Sequence, residues 1–328
     1  MARNDRWIFA DQPLAGDGEG GETAGDAGGQ GQGHHVTMDG GQGLACAMGA
    51  GAQCPAQGLL VDVRQIGHGP TVLGTDNVMM AAVFAEGTTV IESAAAEPEV
   101  EDLANFLNGL GAKIEGAGTR RITIQGVTSL GSIEHTVIPD RIEAGTFMAA
   151  AVIAGEGVTL NRVCREQMTA ITKIFEECGH KVVYNAAGDS MTIHRGENPV
   201  GAEIITAPYP GYPTDKQAQM TAVFATTPGI SVVKDTIFPQ RFMHCAEMKR
   251  MGADINVDNG TAIIKGVKQL SAAPVMASDL RASAALVLAG LTAKGTTTIS
   301  RLYHIDRGYE HIDEKLLQLN ANVERVKE

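Results

Sequence analysis

Four times along the chain an almost wholly apolar helical stretch runs to a glycine and continues as a strand-like segment, and this repetition constrains the fold more than any other feature. The stretches are Asn77 to Glu92 (NVMMAAVFAEGTTVIE), Glu143 to Arg162 (EAGTFMAAAVIAGEGVTLNR), Lys216 to Val233 (KQAQMTAVFATTPGISVV) and Met276 to Ser300. Their glycines, Gly87, Gly157, Gly229 and Gly295, lie 70, 72 and 66 residues apart. A second marker keeps the same register. Each strand is followed by another helical stretch ending at Gly111-Ala112, Gly179-His180, Gly252-Ala253 or Asn320-Ala321, with spacings of 68, 73 and 68. Two markers in step imply copies of one supersecondary unit. A helix apolar all round is a buried helix. In the first copy Val100, Leu103, Phe106, Leu107 and Leu110 recur at helical spacing after Pro98, and a Gly116 to Thr119 turn joins two short strands. The unit therefore reads as buried helix, strand, amphipathic helix, hairpin.

A length of 328 residues suits about two domains, and 44% hydrophobic content with only 4% aromatics means cores of Ala, Val, Leu, Ile and Met. The net charge of −12 argues against a nucleic-acid face, so an anionic ligand would need local arginines. The apolar runs fall short of the ~20 residues that span a bilayer, and no signal-like segment opens the chain. Five scattered cysteines lack metal-ligand spacing. The expectation is a cytoplasmic protein with no membrane contact, no disulfide framework, no metal and no cofactor. Residues 1–70 hold 17 of the 40 glycines and are expected to be disordered or aberrant. His34 and His35 stand in that tract with no third ligand nearby.

An aspartate precedes three of the buried helices: Asp140, Asp215 and Asp279. Each could be an N-cap. Asp215 has a second reading, because the prolines of Tyr209-Pro-Gly-Tyr-Pro-Thr-Asp215 fix a short loop that would present its carboxylate as a base or a hydroxyl-binding group. Asp279 with Arg281, and Asp306 with Arg307, pair a carboxylate with a guanidinium fork suited to carboxylate or phosphate, or to a plain surface ion pair. Arg241 lies between Phe238 and Phe242 where a loop meets a helix. His244 and Cys245 are helix neighbours and do not face one another, which argues against a catalytic dyad.

Several of these stretches carry a resemblance. Pro213-Thr-Asp-Lys-Gln-Ala-Gln219, Arg241-Phe-Met-His244, Ser278 to Gly290 and Tyr303-His-Ile-Asp-Arg-Gly-Tyr-Glu310, with Glu97-Pro-Glu99, Pro139-Asp-Arg-Ile-Glu143 and Gly145-Thr-Phe147, resemble UDP-N-acetylglucosamine 1-carboxyvinyltransferase in the same order. The resemblance runs from about Thr71 to the C-terminus. It implies an inside-out α/β barrel of repeated helix-and-sheet units, with residues 140–328 a C-terminal domain of three copies and 71–139 the remnant of an incomplete N-terminal domain. It also implies transfer of the enolpyruvyl group of phosphoenolpyruvate to the 3′-hydroxyl of UDP-N-acetylglucosamine, the first committed step of peptidoglycan synthesis, without a cofactor. By similarity Asp215 is the base, the Ile237 backbone helps hold the sugar, Arg241 is a further substrate-binding residue, and Arg281 and Arg307 hold the phosphoenolpyruvate anion with Asp279 nearby. Thr71 and Val72 fall where the family binds phosphate with Ser-Val-Gly-Ala-Thr.

The resemblance also has departures. No Lys-Asn pair matches the family's N-terminal one, Leu73 replaces a glycine, and Gln240 precedes Arg241. Cys46-Ala-Met-Gly49 echoes the family's Cys-x-x-Gly loop, making Cys46 the candidate proton donor, but no Arg-Pro follows. These departures lead to the expectation that the front of the gene is truncated or read out of frame. Two alternatives stay open: a non-catalytic UDP-sugar-binding or regulatory homologue, and the sister enzyme enolpyruvylshikimate-phosphate synthase.

Overall fold

The glycine markers have a backbone cause. Gly111, Gly179 and Gly252 end their helices at φ 109°, 87° and 88°, and Asn320 does so at 63°. This is the left-handed cap that glycine, and less often asparagine, accepts. The computed structural model describes residues 5–9, 35–39, 60–65 and 69–327. Its longer helices are α1 (Val72–Ala82), α2 (Pro98–Gly109), α3 (Arg141–Ala154), α4 (Arg165–Glu177), α5 (Gln217–Thr226), α6 (Met243–Arg250), α7 (Leu280–Thr292) and α8 (Ile312–Gln318). They fall into two units, Gln30–Ile138 with Pro208–Gly211, and Pro139–Ala207 with Tyr212–Glu328 and the segment Met1–Gly29.

The first unit places α1 and α2 against a sheet ordered Leu60–Asp62, Thr88–Glu92, Arg121–Gln125, Lys113–Glu115. Its core gathers Met79, Val83, Ile91, Val100, Leu107, Ile122 and Ile124. The strands His35–Asp39 and Ser132–Thr136 pair antiparallel beside it.

In the second unit α3, α5 and α7 pack on one another, and three small sheets lie outside them. Every residue of α5 from Gln217 to Ala225 is buried, whereas the strand Ile230–Lys234 alternates exposed and buried positions. Helices inside and half-solvated sheets outside are the inside-out arrangement. One sheet runs Glu203–Ile205, Ile230–Lys234, Thr261–Lys265, Asp254–Asp258, the first pair parallel and the rest antiparallel.

The sheet of the last copy has the same order and directions, but its third strand comes from the other end of the chain. It runs Pro274–Met276, Thr297–Ser300, Asp5–Phe9, Val323–Lys327. Residues 1–70 are expected to be disordered or aberrant, whereas the described segment Asp5–Phe9 is an ordered strand. Trp7 and Phe9 alternate onto the core face, 0% and 1% exposed, while Arg6 faces out. Two neighbouring strands satisfy the backbone of this segment, so its glycine-rich surroundings do not decide its state. Leu60–Asp62 likewise pairs in parallel with Thr88–Glu92. Among the described residues no helix is long and apolar enough to cross a membrane.

Candidate active site

The three aspartates that look alike in sequence do different work. Asp140 caps α3 by accepting the N–H of Ile142 and Glu143 at 2.7 and 2.9 Å. Asp279 caps α7 through the N–H of Arg281 and Ala282 at 2.8 and 2.9 Å. Its charge thus lies at the positive end of the helix and fixes the backbone from which Arg281 projects. Among the described residues Asp215 caps no helix. It sits in a single 3-10 turn, Thr214–Lys216, ahead of α5, and both of its oxygens are held by guanidinium groups. Arg241 Nη1 donates to Oδ1 at 2.6 Å and Arg281 Nη2 to Oδ2 at 2.8 Å.

Burial alone would raise the Asp215 carboxyl, but the charges and hydrogen bonds of Arg281 and Arg241 outweigh it and hold the group below its usual value. Burial would lower Arg281, and Asp215 reverses that as well, so Arg281 is shifted up. The guanidinium of Arg281 lies 5.8 Å from the Tyr309 ring centre and that of Arg241 lies 5.6 Å from the Phe238 ring centre. Arg281 Nε is buried with no partner among the described residues. The result is a carboxylate kept ionised between two cations, one of which retains an unused donor.

A second layer supports this cluster, and sequence reasoning missed it. Asp235 is buried and accepts the Thr206 and Thr214 hydroxyls at 2.8 and 2.6 Å and the N–H of Ile237 and Phe238 at 2.9 and 2.8 Å. It thereby anchors the residue immediately before Asp215 to the turn that leads to Arg241. The only signal in the sequence is an aspartate ending a strand, which a turn explains equally well. On the other side lies a buried polar group of Thr146, Lys216, Gln219 and Tyr309. Tyr309 oxygen lies 3.5 Å from Arg281 Nη1.

The remaining sequence candidates are distributed as follows. The Ile237 backbone, expected to help hold the sugar, donates its N–H to Asp235. Arg307 is exposed in the loop before α8, two residues from Tyr309, with no hydrogen bond to the cluster among the described contacts. Asp306 beside it is paired with Arg325 at 2.6 and 3.0 Å. Thr71 belongs to the other unit and caps α1 by accepting the Gly74 N–H at 3.3 Å, with Val72 opening that helix. Leu73, which replaces the family's glycine, is 74% exposed on that first turn. Cys46 and His34 lie outside the described residues. His244 and Cys245 are both buried in α6, with His244 held down to about 4 and Cys245 pushed up to about 12 by that burial, so neither is poised for attack.

A family model for EPSP synthase (3-phosphoshikimate 1-carboxyvinyltransferase) matches residues 52–316. The chain belongs to the EPSP synthase family. Within this family it is similar to the UDP-N-acetylglucosamine 1-carboxyvinyltransferase of Akkermansia muciniphila, with 74% identity over 259 residues, and to that of Methylacidiphilum infernorum, with 53%. Each similarity covers 79% of this chain and 61% of the relative, so the chain spans less than two thirds of the curated relatives it matches. Among solved structures, the enolpyruvyl transferase NikO from Streptomyces tendae aligns with a TM-score of 0.72 and 25% identity, over 83% of this chain and 66% of that one. An EPSP synthase from Acinetobacter baumannii aligns at 0.64 and 20%, over 82% and 64%, and shares the fold alone. The EPSP synthase family match begins at residue 52, ahead of Thr71, where the motif resemblance starts.

Proposed function

We propose that this chain belongs to the branch of the family that moves the enolpyruvyl group of phosphoenolpyruvate onto the 3′-hydroxyl of UDP-N-acetylglucosamine, in the cytoplasm, as the first committed step of peptidoglycan synthesis. Cell-wall growth, and through it cell shape and division, would depend on that step. The observation that carries the reading is Asp215 held between Arg241 and Arg281 within the Pro213 to Gln219 stretch. The relatives at 74% and 53% identity bear the name of this activity, whereas the EPSP synthase structure stands at 20%, which favours the nucleotide sugar over shikimate 3-phosphate as acceptor.

A carboxylate clasped by two guanidinium groups is ionised but weakly basic. The substrate anion supplies the remedy. When phosphoenolpyruvate takes up part of Arg281, with Arg307 as a further contact, Asp215 loses charge stabilisation and its proton affinity rises beside the sugar hydroxyl. Asp215 then accepts the proton of O3′, O3′ bonds to C2 of phosphoenolpyruvate, and C3 gains a proton as the double bond is consumed. Loss of a proton from C3 and cleavage of the C2–O bond to phosphate restore the double bond and release inorganic phosphate. Cys46 is the proposed donor to C3, Arg241 and the Ile237 backbone the proposed sugar contacts, and Thr71 and Val72 a proposed phosphate contact.

Phosphate release with both substrates, measured beside Asp215→Ala, tests the reading. Loss of a general base is worth about 10²–10⁴-fold, and a drop of that size supports the assignment. Equal rates remove Asp215 from it. Calorimetric binding of UDP-N-acetylglucosamine without phosphate release identifies a sugar-binding protein instead, and release with shikimate 3-phosphate identifies the sister enzyme.

A further inference from the structure

A lysine that is wholly buried next to the proposed base calls for a physical account. Lys216 is 0% exposed, although it follows Asp215 directly. The two side chains leave the 3-10 turn in different directions, Asp215 to the arginines and Lys216 into the helix layer, where its Nζ donates to Thr146 Oγ1 at 3.1 Å. Gly145 makes room for it. A Cβ at Gly145 would stand 2.8 Å from Lys216 Cε and 3.1 Å from Nζ. The charged groups that act on the amine are Arg281, Asp140 and Asp215. Burial first, and Arg281 second, drive the ammonium well below its usual value against the pull of the two carboxylates.

The hydrogen bonds beyond Thr146 have one consistent direction. The Thr146 hydroxyl donates to the Ile142 carbonyl at 2.9 Å, so its lone pairs are left to accept. Lys216 takes one of them, shared with Gln219 Nε2, which donates to the same oxygen at 3.3 Å. Tyr309, whose oxygen is 2.8 Å away, therefore donates its proton to the other. That leaves the Tyr309 oxygen as an acceptor for Gln219 Nε2 at 3.2 Å and Arg281 Nη1 at 3.5 Å. Arg281 Nη2 is then the nitrogen directed at Asp215. The chain thus runs from Lys216 through Thr146 and Tyr309 to Arg281, and ends on the carboxylate adjacent to where it began.

We propose that Lys216 is a positioning residue: as a buried hydrogen-bond donor in the Gly145 notch it orients Thr146 and Tyr309, and through them fixes the rotation of the Arg281 guanidinium that clasps Asp215. It touches no substrate and serves as a donor, not as a charge. The inference rests on the reading of Asp215 and Arg281 as the working pair of the site, and its test does not need turnover, so failure of the positioning and failure of the activity are told apart.

The experiment is side-chain ¹⁵N NMR of the full chain at pH 7, following exchange between the two Nη nitrogens of Arg281, with Tyr309→Phe as the variant that cuts the last link. Lys216→Met keeps the length of the side chain and removes the donor, and Lys216→Gln restores a neutral donor. Losing one net hydrogen bond along the chain speeds guanidinium rotation roughly two- to tenfold in Lys216→Met. Lys216→Gln returns the rate toward that of the unmodified protein, and Arg241 is unchanged throughout. An Arg281 rate in Lys216→Met equal to the unmodified one overturns the proposal. So does a Lys216→Gln protein as fast as Lys216→Met, since the ammonium charge would then be the active feature. If Lys216→Met does not fold, Thr146→Val severs the same chain without touching the lysine, and an unaltered Arg281 there overturns the proposal equally.

Discussion

Trp7 offers the most direct test of how the N-terminal strand closes the second unit. It is the only tryptophan in the chain and is 0% exposed, on a strand that pairs with Thr297–Ser300 on one side and Val323–Lys327 on the other. Replacing a fully buried aromatic by alanine removes its transfer free energy and leaves a cavity, a cost of about 3–5 kcal/mol. Against a typical domain stability of about 5–15 kcal/mol this is a large fraction. A correction works in the opposite direction, because the indole Nε1 is buried without a partner among the described residues, and an unpaired donor costs about 1–3 kcal/mol. Trp7→Phe removes that donor and keeps most of the packing, so it should lose clearly less than Trp7→Ala. The assay is urea unfolding followed by far-UV circular dichroism for both variants and by tryptophan emission for the unmodified chain. Emission should begin blue-shifted, resist acrylamide quenching, and change with the unfolding of the second unit. A Trp7→Ala loss below about 1 kcal/mol at unchanged m-value, or emission already solvent-exposed in water, would refute the placement of this strand.

Three further outcomes follow from other parts of the second unit. Gly145→Ala lies in a helix interior, where alanine normally gains about 0.5–1 kcal/mol. Here its Cβ would meet Lys216 Cε at 2.8 Å and Ile171 Cγ2 at 3.2 Å, so a net loss of about 1–3 kcal/mol is expected in urea titrations, and a gain would refute the notch. Asp279→Ala should cost about 1 kcal/mol as a lost cap, with Asp279→Asn retaining most of it; equal losses would show that charge and not capping matters. His180 and His244 are buried and their pKa values are lowered from 6.5 to about 4 by that burial. The unfolded chain therefore binds these protons first, and stability should fall as pH drops from 6.5 toward 4, by up to several kcal/mol together at about 1.4 kcal/mol per unit. Asp215, whose value is lowered, contributes stability above its unfolded value of 3.8 that is lost only below that. Asp76, raised to about 6 by burial and by Glu99 and Glu97, works in the opposite direction over the same range, so urea midpoints at pH 7, 5 and 4 are compared between the unmodified chain and His244→Gln, and an unchanged pH dependence in the variant would refute the neutral burial of His244.

What could be read from the sequence was what local chemistry forces. The repeat was visible because a helix ending at positive φ demands Gly111, Gly179, Gly252 or Asn320 at each copy, and because α3, α5 and α7, buried on all sides, leave no polar stripe. The strand Asp5–Phe9 was not visible. Its partners lie about 290 and about 320 residues away, and a five-residue segment in glycine-rich surroundings has no local signal of a sheet that the other end of the chain provides. The site divides in the same way. Asp215 could be singled out by its prolines, but its difference from Asp140 and Asp279 became clear only when Arg241 and Arg281, 26 and 66 residues further on, were seen to take both oxygens. Lys216 is the clearest case of the limit. In sequence it is a charged residue at the start of a helix, where solvent is the ordinary expectation, and nothing near it in the chain announces that Gly145, 71 positions earlier, has been left without a side chain to admit it. Pairwise accommodation of this kind is a property of packing. It is where a sequence read one segment at a time loses its hold, and it is also where the orientation of Arg281 would be decided.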